Sequence, residues 1–348
     1  MKQIIAILLS VIFVLASLAG CGSTSPAPAA GETQSTEQPA AENADGEVYE
    51  MVIALHTNEG TAESNAVYRF KDAVEEKSNG RLKVSVFTGA TLGSEEENLE
   101  QIGTNEIQGS IFGDVMTSQL AADLDPTVTP FLFSSVDDVL AVWAGDVGEK
   151  INQACIENGN LRVLGVGRRG ARYLLANKPI TTPEECKGLK LRLPSIANWV
   201  TIWQEIGALP TPIAFSEVYT SLQTGVVDAF ESTAELTYTG SYYDVVKYAI
   251  DTHHLYGLFH LAVCESWLQT LPADLQEIII SEGAECCAWG DEQMALYESE
   301  MVQALVDNGM EVITPDADAF KAAAMPAIEQ IVAQWQDGIW ESIEQYVG

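Results

Sequence analysis

Eight of the chain's 17 basic residues fall between Arg162 and Arg192: Arg162, Arg168, Arg169, Arg172, Lys178, Lys187, Lys190 and Arg192. Beyond them only Lys247 and Lys321 remain. In a chain of formal charge −33, cations grouped in this way offer local binding of an anion. The lysines of the group fit a solvated surface equally well. The acidic body repels anions at long range, but salt screens that field within roughly 8–10 Å. Cations in a cleft can therefore still hold a negative ligand. The same charge excludes nucleic acid as a partner, because phosphate binding needs clustered Lys and Arg over a basic surface.

Other chemistry is harder to find. Gly165-Val166-Gly167-Arg168-Arg169-Gly170 fits the G-x-G-x-x-G pattern. A dinucleotide site needs a helix to open there, with its N-terminus facing the pyrophosphate. The next residues are instead the strand-like Arg172-Tyr173-Leu174-Leu175 and then Pro179, so the match is set aside. The chain has no G-x-S-x-G, no Walker loop and no H-E-x-x-H. Of the histidines, His254 and His260 with Cys264 match no metal spacing and read as structural. Besides Cys21 there are Cys155, Cys186, Cys264, Cys286 and Cys287. Five is odd, so complete internal pairing is impossible, and no spacing is that of a zinc site. Neither a cofactor nor a metal is expected.

The elements that position these residues begin well inside the chain. Met1-Lys2, an apolar run from Ile4 to Ala19, and Leu18-Ala19-Gly20-Cys21 describe a secretory leader. The cysteine after Leu-Ala-Gly resembles the bacterial lipobox, which makes Cys21 the acylated first residue of an anchored, extracytoplasmic protein. Residues 21–47 hold no large apolar side chain and read as a flexible tether. From Tyr49 the pattern is β-α-β-α-β: strands at 49–55, 81–87 and 107–112, with helices at 62–78 and 95–102. Such alternation implies a mostly parallel sheet faced by helices. A helix is predicted over 136–158, and strands over 161–166, 173–176, 189–193, 209–213, 245–250 and 258–263. Helices at 197–207 and 215–224 lie between them. Pro272 opens a proline-free stretch to Asn308, a helix of about 35 residues that crosses both lobes or breaks at Gly283 or Gly290. A last helix, Asp316–Tyr346, is expected to kink at Pro326.

Six segments carry a resemblance. They are Phe70-Lys71-Asp72-Ala73-Val74-Glu75-Glu76-Lys77-Ser78-Asn79-Gly80-Arg81-Leu82-Lys83-Val84, Leu92-Gly93-Ser94-Glu95-Glu96-Glu97, Pro130-Phe131-Leu132-Phe133, Gly188-Leu189-Lys190-Leu191-Arg192-Leu193-Pro194, Pro210-Thr211-Pro212-Ile213-Ala214-Phe215-Ser216-Glu217-Val218-Tyr219, and Leu222-Gln223-Thr224-Gly225-Val226-Val227-Asp228. In wording, order and spacing the chain resembles the solute receptors of TRAP (tripartite ATP-independent periplasmic) transporters, the dicarboxylate-binding family, over roughly residues 50 to 310.

The resemblance implies an α/β, two-lobed, periplasmic-binding-protein type II-like fold with a long lobe-crossing helix. Lobe I would hold 48–169 with 258–297, and lobe II 170–257 with 298–348. It further implies that Arg192 and Arg172 meet a ligand carboxylate, which suits a planar guanidinium pairing two N–H donors with two oxygens. Phe215 matches the aromatic that packs on the ligand. Where the family has Glu-Asn, this chain has Glu231-Ser232, so Ser232, with Glu231 or Glu235, is expected to tune specificity. Asn58, Phe112 and Gly113 lie where sheet C-termini face the cleft. The implied partners are a small-molecule carboxylate and the TRAP membrane permease subunits, driven by an ion gradient rather than ATP. The ligand stays open among C4-dicarboxylate, keto acid, sugar acid and aromatic acid. The rivals are a receptor presenting ligand to a membrane sensor, a receptor of the ATP-driven class, and a secreted hydrolase.

Overall fold

The alternating segment at the start of the folded region forms strand β1 (Tyr49–Leu55), with Met51, Ile53 and Leu55 buried. The computed structural model describes residues 46–347. The expected leader, Cys21 and nearly all of the expected tether lie outside the described residues. Helix α1 (Ala62–Lys77) buries Ala66, Val67, Phe70 and Val74, and the Thr61 side chain caps it by accepting from Ser64 N. β2 (Leu82–Phe87) comes next, then α2 (Glu95–Gly103), opened by a capping box between Ser94 and Glu97. β3 (Gly109–Phe112) and α3 (Asp114–Leu120) complete the opening unit. β1 pairs in parallel with both β2 and β3, as the alternation predicts.

The helix predicted over 136–158 is two, α4 (Val136–Trp143) and α5 (Asp146–Gly159). The two strands expected at 161–166 and 173–176 are one, β4 (Leu161–Ala176). Three glycines had masked its continuity. A Cβ at Gly165 would lie 2.7 Å from Cys287 Cβ and 2.8 Å from Gly283 O, and one at Gly167 would lie 2.5 Å from the Phe259 ring. The G-x-G-x-x-G run therefore serves close packing of strand and helix, with no helix opening after it.

The second half of the chain contributes β5 (Lys190–Leu193), α6 (Ala197–Ile206), β6 (Leu209–Pro212), α7 (Val218–Gln223), β7 (Ala229–Thr233) and α8 (Ala234–Thr239). Then come β8 (Tyr248–Ile250), β9 (Tyr256–Cys264), α9 (Glu265–Leu268) and α10 (Ala273–Asp307). β10 (Glu311–Ile313), α11 (Ala317–Val332) and α12 (Ile339–Ile343) close it. The long helix is unbroken at Gly283 and Gly290; its 35 residues span about 50 Å. The last predicted helix instead divides: α11 runs through Pro326 and stops at Val332, and Gly338 at φ +89° precedes α12.

Strand order is β2-β1-β3-β9-β4-β7-β5-β6, with β8 pairing β4 and β10 pairing β8. The centre is antiparallel, at β3–β9, β9–β4 and β4–β7, so the sheet is mixed rather than mostly parallel. The return of β9 between β3 and β4 was not readable from helix-strand alternation alone. The early residues of β4, through Ala171, pair with β9; Arg172 to Ala176 pair with β7 and in part with β8. β4 thus belongs to two lobes, and its register shifts near Gly165 and Gly170 bend it between them.

Candidate functional site

The junction on β4 is where the arginines converge. Arg169 and Arg172 stand on this crossing strand, and Arg192 on β5, two positions before Pro194. They are 5%, 6% and 2% exposed. The three border one small cavity. The first lobe adds His56, Glu95, Asp114 and Val115 to its wall; the second adds Pro194, Ile196, Trp199, Phe215 and Leu236.

Each arginine is held differently. Arg169 Nε donates to Glu63 Oε2 at 2.8 Å, and Thr57 donates its hydroxyl to the other oxygen of Glu63 at 2.5 Å. Arg172 is ion-paired to Glu231 and lies 4.8 Å above the Trp199 ring, whose Nε1 donates to Val128 O at 2.7 Å. Arg192 Nε donates to the Ile213 carbonyl at 2.7 Å, and the guanidinium lies 5.8 Å from the Phe215 ring centroid. No carboxylate lies within ion-pairing distance of Arg192 among the described residues. Burial consequently pulls its pKa down to about 10, against the attraction of Glu231.

The acids behave in two ways. Burial pushes the Glu231 carboxyl up, but Arg172 and His254 together outweigh it and hold it at about 2. Glu95 and Asp114, by contrast, are raised to about 7 by burial, which Arg169, Arg172 and the Gly113 N–H only partly offset. His56 is lowered to about 4 by burial and by Arg169. Between about pH 4 and pH 7 the 3.5 Å approach of His56 Nε2 to Glu95 Oε2 is therefore a contact of largely neutral groups, not an ion pair.

Of the expected site residues, Arg172, Arg192 and Phe215 are brought together on the cavity wall. Six are not on it. Glu231 is fully buried beneath Arg172, and Ser232, facing the other way on β7, has its hydroxyl buried without a partner. Glu235 accepts from Ala62 N and from Tyr297 Oη. Phe112 is fully buried in the first-lobe core. Gly113 N donates to Glu95 Oε1 at 2.6 Å, and the missing Cβ is the space that Arg169 occupies. Asn58 Nδ2 donates to Thr239 O at 3.1 Å.

Among the nine wall residues that were not expected are His56, Glu95, Asp114 and Trp199. Three of these four sit directly at strand or helix boundaries. His56 is the first residue after β1, Asp114 the second after β3, and Glu95 the first residue of the capped helix α2. His56 and Asp114 thus border the cavity from the C-terminal ends of β1 and β3, one or two residues from Asn58, Phe112 and Gly113.

His260 packs its ring 4.7 Å from Trp143, and His254 accepts or donates at 2.8 Å with Thr252. Among the described residues no group of three or more His, Cys, Asp or Glu side chains could hold a metal. Cys155, Cys186, Cys264, Cys286 and Cys287 are all buried and unpaired. No helix among the described residues is long and apolar enough to cross a membrane.

Two lobes of mixed sheet, crossed by one strand and one long helix and shut over a buried guanidinium, define a solute receptor. Comparison with known proteins gives the same class. The chain belongs to the family described as bacterial extracellular solute-binding protein, family 7, which its residues 53–335 match. It is a substrate-binding receptor of the TRAP transport class, extracytoplasmic and not an enzyme, that binds a small organic acid and delivers it to the transporter. A solute-binding protein of Roseobacter denitrificans is 32% identical over 300 residues, covering 84% of this chain and 91% of that one. The solved structure of a TRAP periplasmic solute-binding protein from Roseobacter denitrificans, with bound L-galactonate, superposes at TM-score 0.81 with 28% identity, covering 86% of this chain and 99% of that one. A second, from Sulfitobacter sp. NAS-14.1 with bound β-D-galacturonate, has TM-score 0.81, 27% identity and coverage of 86% and 99%.

Proposed function

We propose that the cavity captures a sugar acid bearing one carboxylate, gripped by Arg192. The observation that carries this reading is the charge state of the wall. Of the three buried arginines, Arg169 and Arg172 are already neutralised by Glu63 and Glu231, and Arg192 alone has no anionic partner among the described residues. One free guanidinium calls for one carboxylate. Its Nη groups supply a paired set of donors, and the closed, water-poor cleft strengthens the bond. Arg172, stacked on Trp199, shares in holding the same group, and Phe215 packs against the ligand's body.

Glu95 and Asp114 then face the rest of the ligand. Poised near pH 7, they donate to or accept from hydroxyls, whereas a second carboxylate placed beside them meets like charge. This favours polyhydroxylated monocarboxylates over C4-dicarboxylates. The L-galactonate and β-D-galacturonate in the two related structures are such acids. Glu231, ion-paired to Arg172, acts on the ligand through that arginine, whereas Ser232 is buried off the wall and has no direct part in this reading.

Lobe I comprises 48–169 with 258–297 and lobe II 170–257 with 298–348, a division supported by the change of partner along β4 at Arg172. Cys21 is the acylated residue that tethers the receptor to the membrane.

The test is a calorimetric panel of hexuronates and aldonates beside succinate, malate and neutral galactose. A ligand at 100 times its Kd raises stability by about 2.7 kcal/mol. Sugar acids should give that shift, galactose none, and Arg192→Ala should abolish it while circular dichroism stays native. Full affinity in Arg192→Ala, or succinate binding more tightly than every sugar acid, would overturn the reading.

A further inference from the structure

Beside the cavity, and off its wall, the two lobes are joined by hydrogen bonds that no ligand contact explains. Glu235, in α8 of the second lobe, is 1% exposed. Its Oε1 accepts from the backbone N–H of Ala62 at 2.8 Å and from Tyr297 Oη, on α10, at 3.3 Å. Ala62 is the first residue of α1 in the first lobe, so Glu235 satisfies one of the N–H groups that a helix start cannot satisfy internally. On the same seam Asn58 Nδ2 reaches across to Thr239 O.

Nothing in core packing asks for a carboxyl at this position. A buried acid is costly unless its oxygens are bonded. Facing Glu235 are Glu63 from α1, Arg169 from β4 and Tyr297 from α10. Burial, reinforced by repulsion from Glu63, raises its carboxyl to about 7 despite the bonds it accepts and the attraction of Arg169. Opening the cleft would return both Glu235 and the Ala62 N–H to water, where neither lacks a partner. The bond therefore favours the shut state specifically.

We propose that Glu235 is a positioning residue for ligand capture, latching the second lobe to the first turn of α1 when the cleft closes and never touching the ligand. The inference rests on the reading of the cleft as a ligand site. A ligand enters before the latch forms, so removing the latch acts on escape rather than entry.

The test uses D-galacturonate and stopped-flow tryptophan fluorescence on the full chain. Glu235→Ala should raise koff about tenfold, the scale of a lost charge-assisted bond, with kon within about twofold. Glu235→Gln, which keeps the acceptor oxygen, should recover most of the loss. The donor side is tested by Ala62→Pro. Thr61, at φ −81° and ψ 156°, already has the extended backbone that a proline after it demands, and proline is accepted at the first helical position. Its ring also displaces the Glu235 oxygen that sits 2.8 Å from this nitrogen, so the variant should raise koff at least as much as Glu235→Ala, and the double variant should add nothing further. The ligand-free melting temperature should stay within about 2 °C of the parent throughout.

An unchanged koff in Glu235→Ala, an additive double variant, or an equal fall in ligand-free stability would overturn the latch. Where the parent binds and Arg192→Ala does not, such a result removes the latch and leaves the site reading intact. Failure of the parent to bind any sugar acid would remove the reading itself, and the latch with it.

Discussion

Arg169 and Arg192 border the same cavity at nearly the same depth, yet their surroundings differ in one respect. Arg169 is clamped by Glu63, itself held by Thr57, with Glu95 and Asp114 close by. Its pKa is raised: burial lowers it, and the surrounding acids more than reverse that. Arg192 has a carbonyl and an aromatic face, and burial wins. A buried charge that already has its counter-ion is part of the fold. One left without it stores a penalty in the empty protein that an incoming anion can relieve. The arginine count of the site says little; the count of unneutralised arginines says what it binds.

Breaking the satisfied pair should have the largest effect. Glu63→Gln leaves a guanidinium that cannot shed its proton, and it should destabilise the ligand-free protein by about 3 kcal/mol in urea unfolding. The nearby Glu95 and Asp114 keep the loss at the low end of the range for severed buried pairs. An unchanged midpoint would mean that Arg169 is not neutralised by Glu63.

The opposite sign is expected at the other arginine. Arg192→Met removes the unneutralised charge and keeps most of the volume, so it should stabilise the ligand-free protein by about 2 kcal/mol while losing binding. A destabilised Arg192→Met would show that Arg192 has a structural partner and that the contrast with Arg169 is false.

The sequence made parts of this contrast visible. Arg192 stands in one of the six resembling segments, and the long helix was legible from Pro272 and the proline-free stretch after it. A helix at 95–102 was expected, though not that its first residue, Glu95, would turn into the cleft. The pairing of Arg169 with Glu63 was hidden because it joins residues far apart in the chain, through a strand that Gly165, Gly167 and Gly170 made look like two. Those glycines are explained by α10 lying across β4, a close approach that neither element's own periodicity records. The antiparallel centre of the sheet was equally non-local. Nothing within β9 tells that it returns between β3 and β4.

The smallest effect concerns the two acids that separate these arginines, and its sign can be worked out. Glu95 and Asp114 are raised to about 7 in the folded protein from ordinary values of 4.5 and 3.8. A raised carboxyl lends stability that is complete below its unfolded pKa and is lost as pH rises through the folded one. Between pH 6 and pH 8, each should therefore subtract about 1 kcal/mol from the ligand-free protein. Glu231, held at about 2, titrates well below this window and does not disturb it. His56, at about 4 against an ordinary 6.5, works in the opposite direction, but chiefly below pH 6.5. The informative quantity is thus a difference. Melting temperatures of the parent and of Glu95→Gln, taken at pH 6 and pH 8, should show the parent losing about 3 °C more than the variant. Asp114→Asn should behave alike. Were the parent and both variants to fall in parallel, the two carboxyls would already be ionised at pH 6. The cavity would then carry enough negative charge to neutralise Arg192 without a ligand.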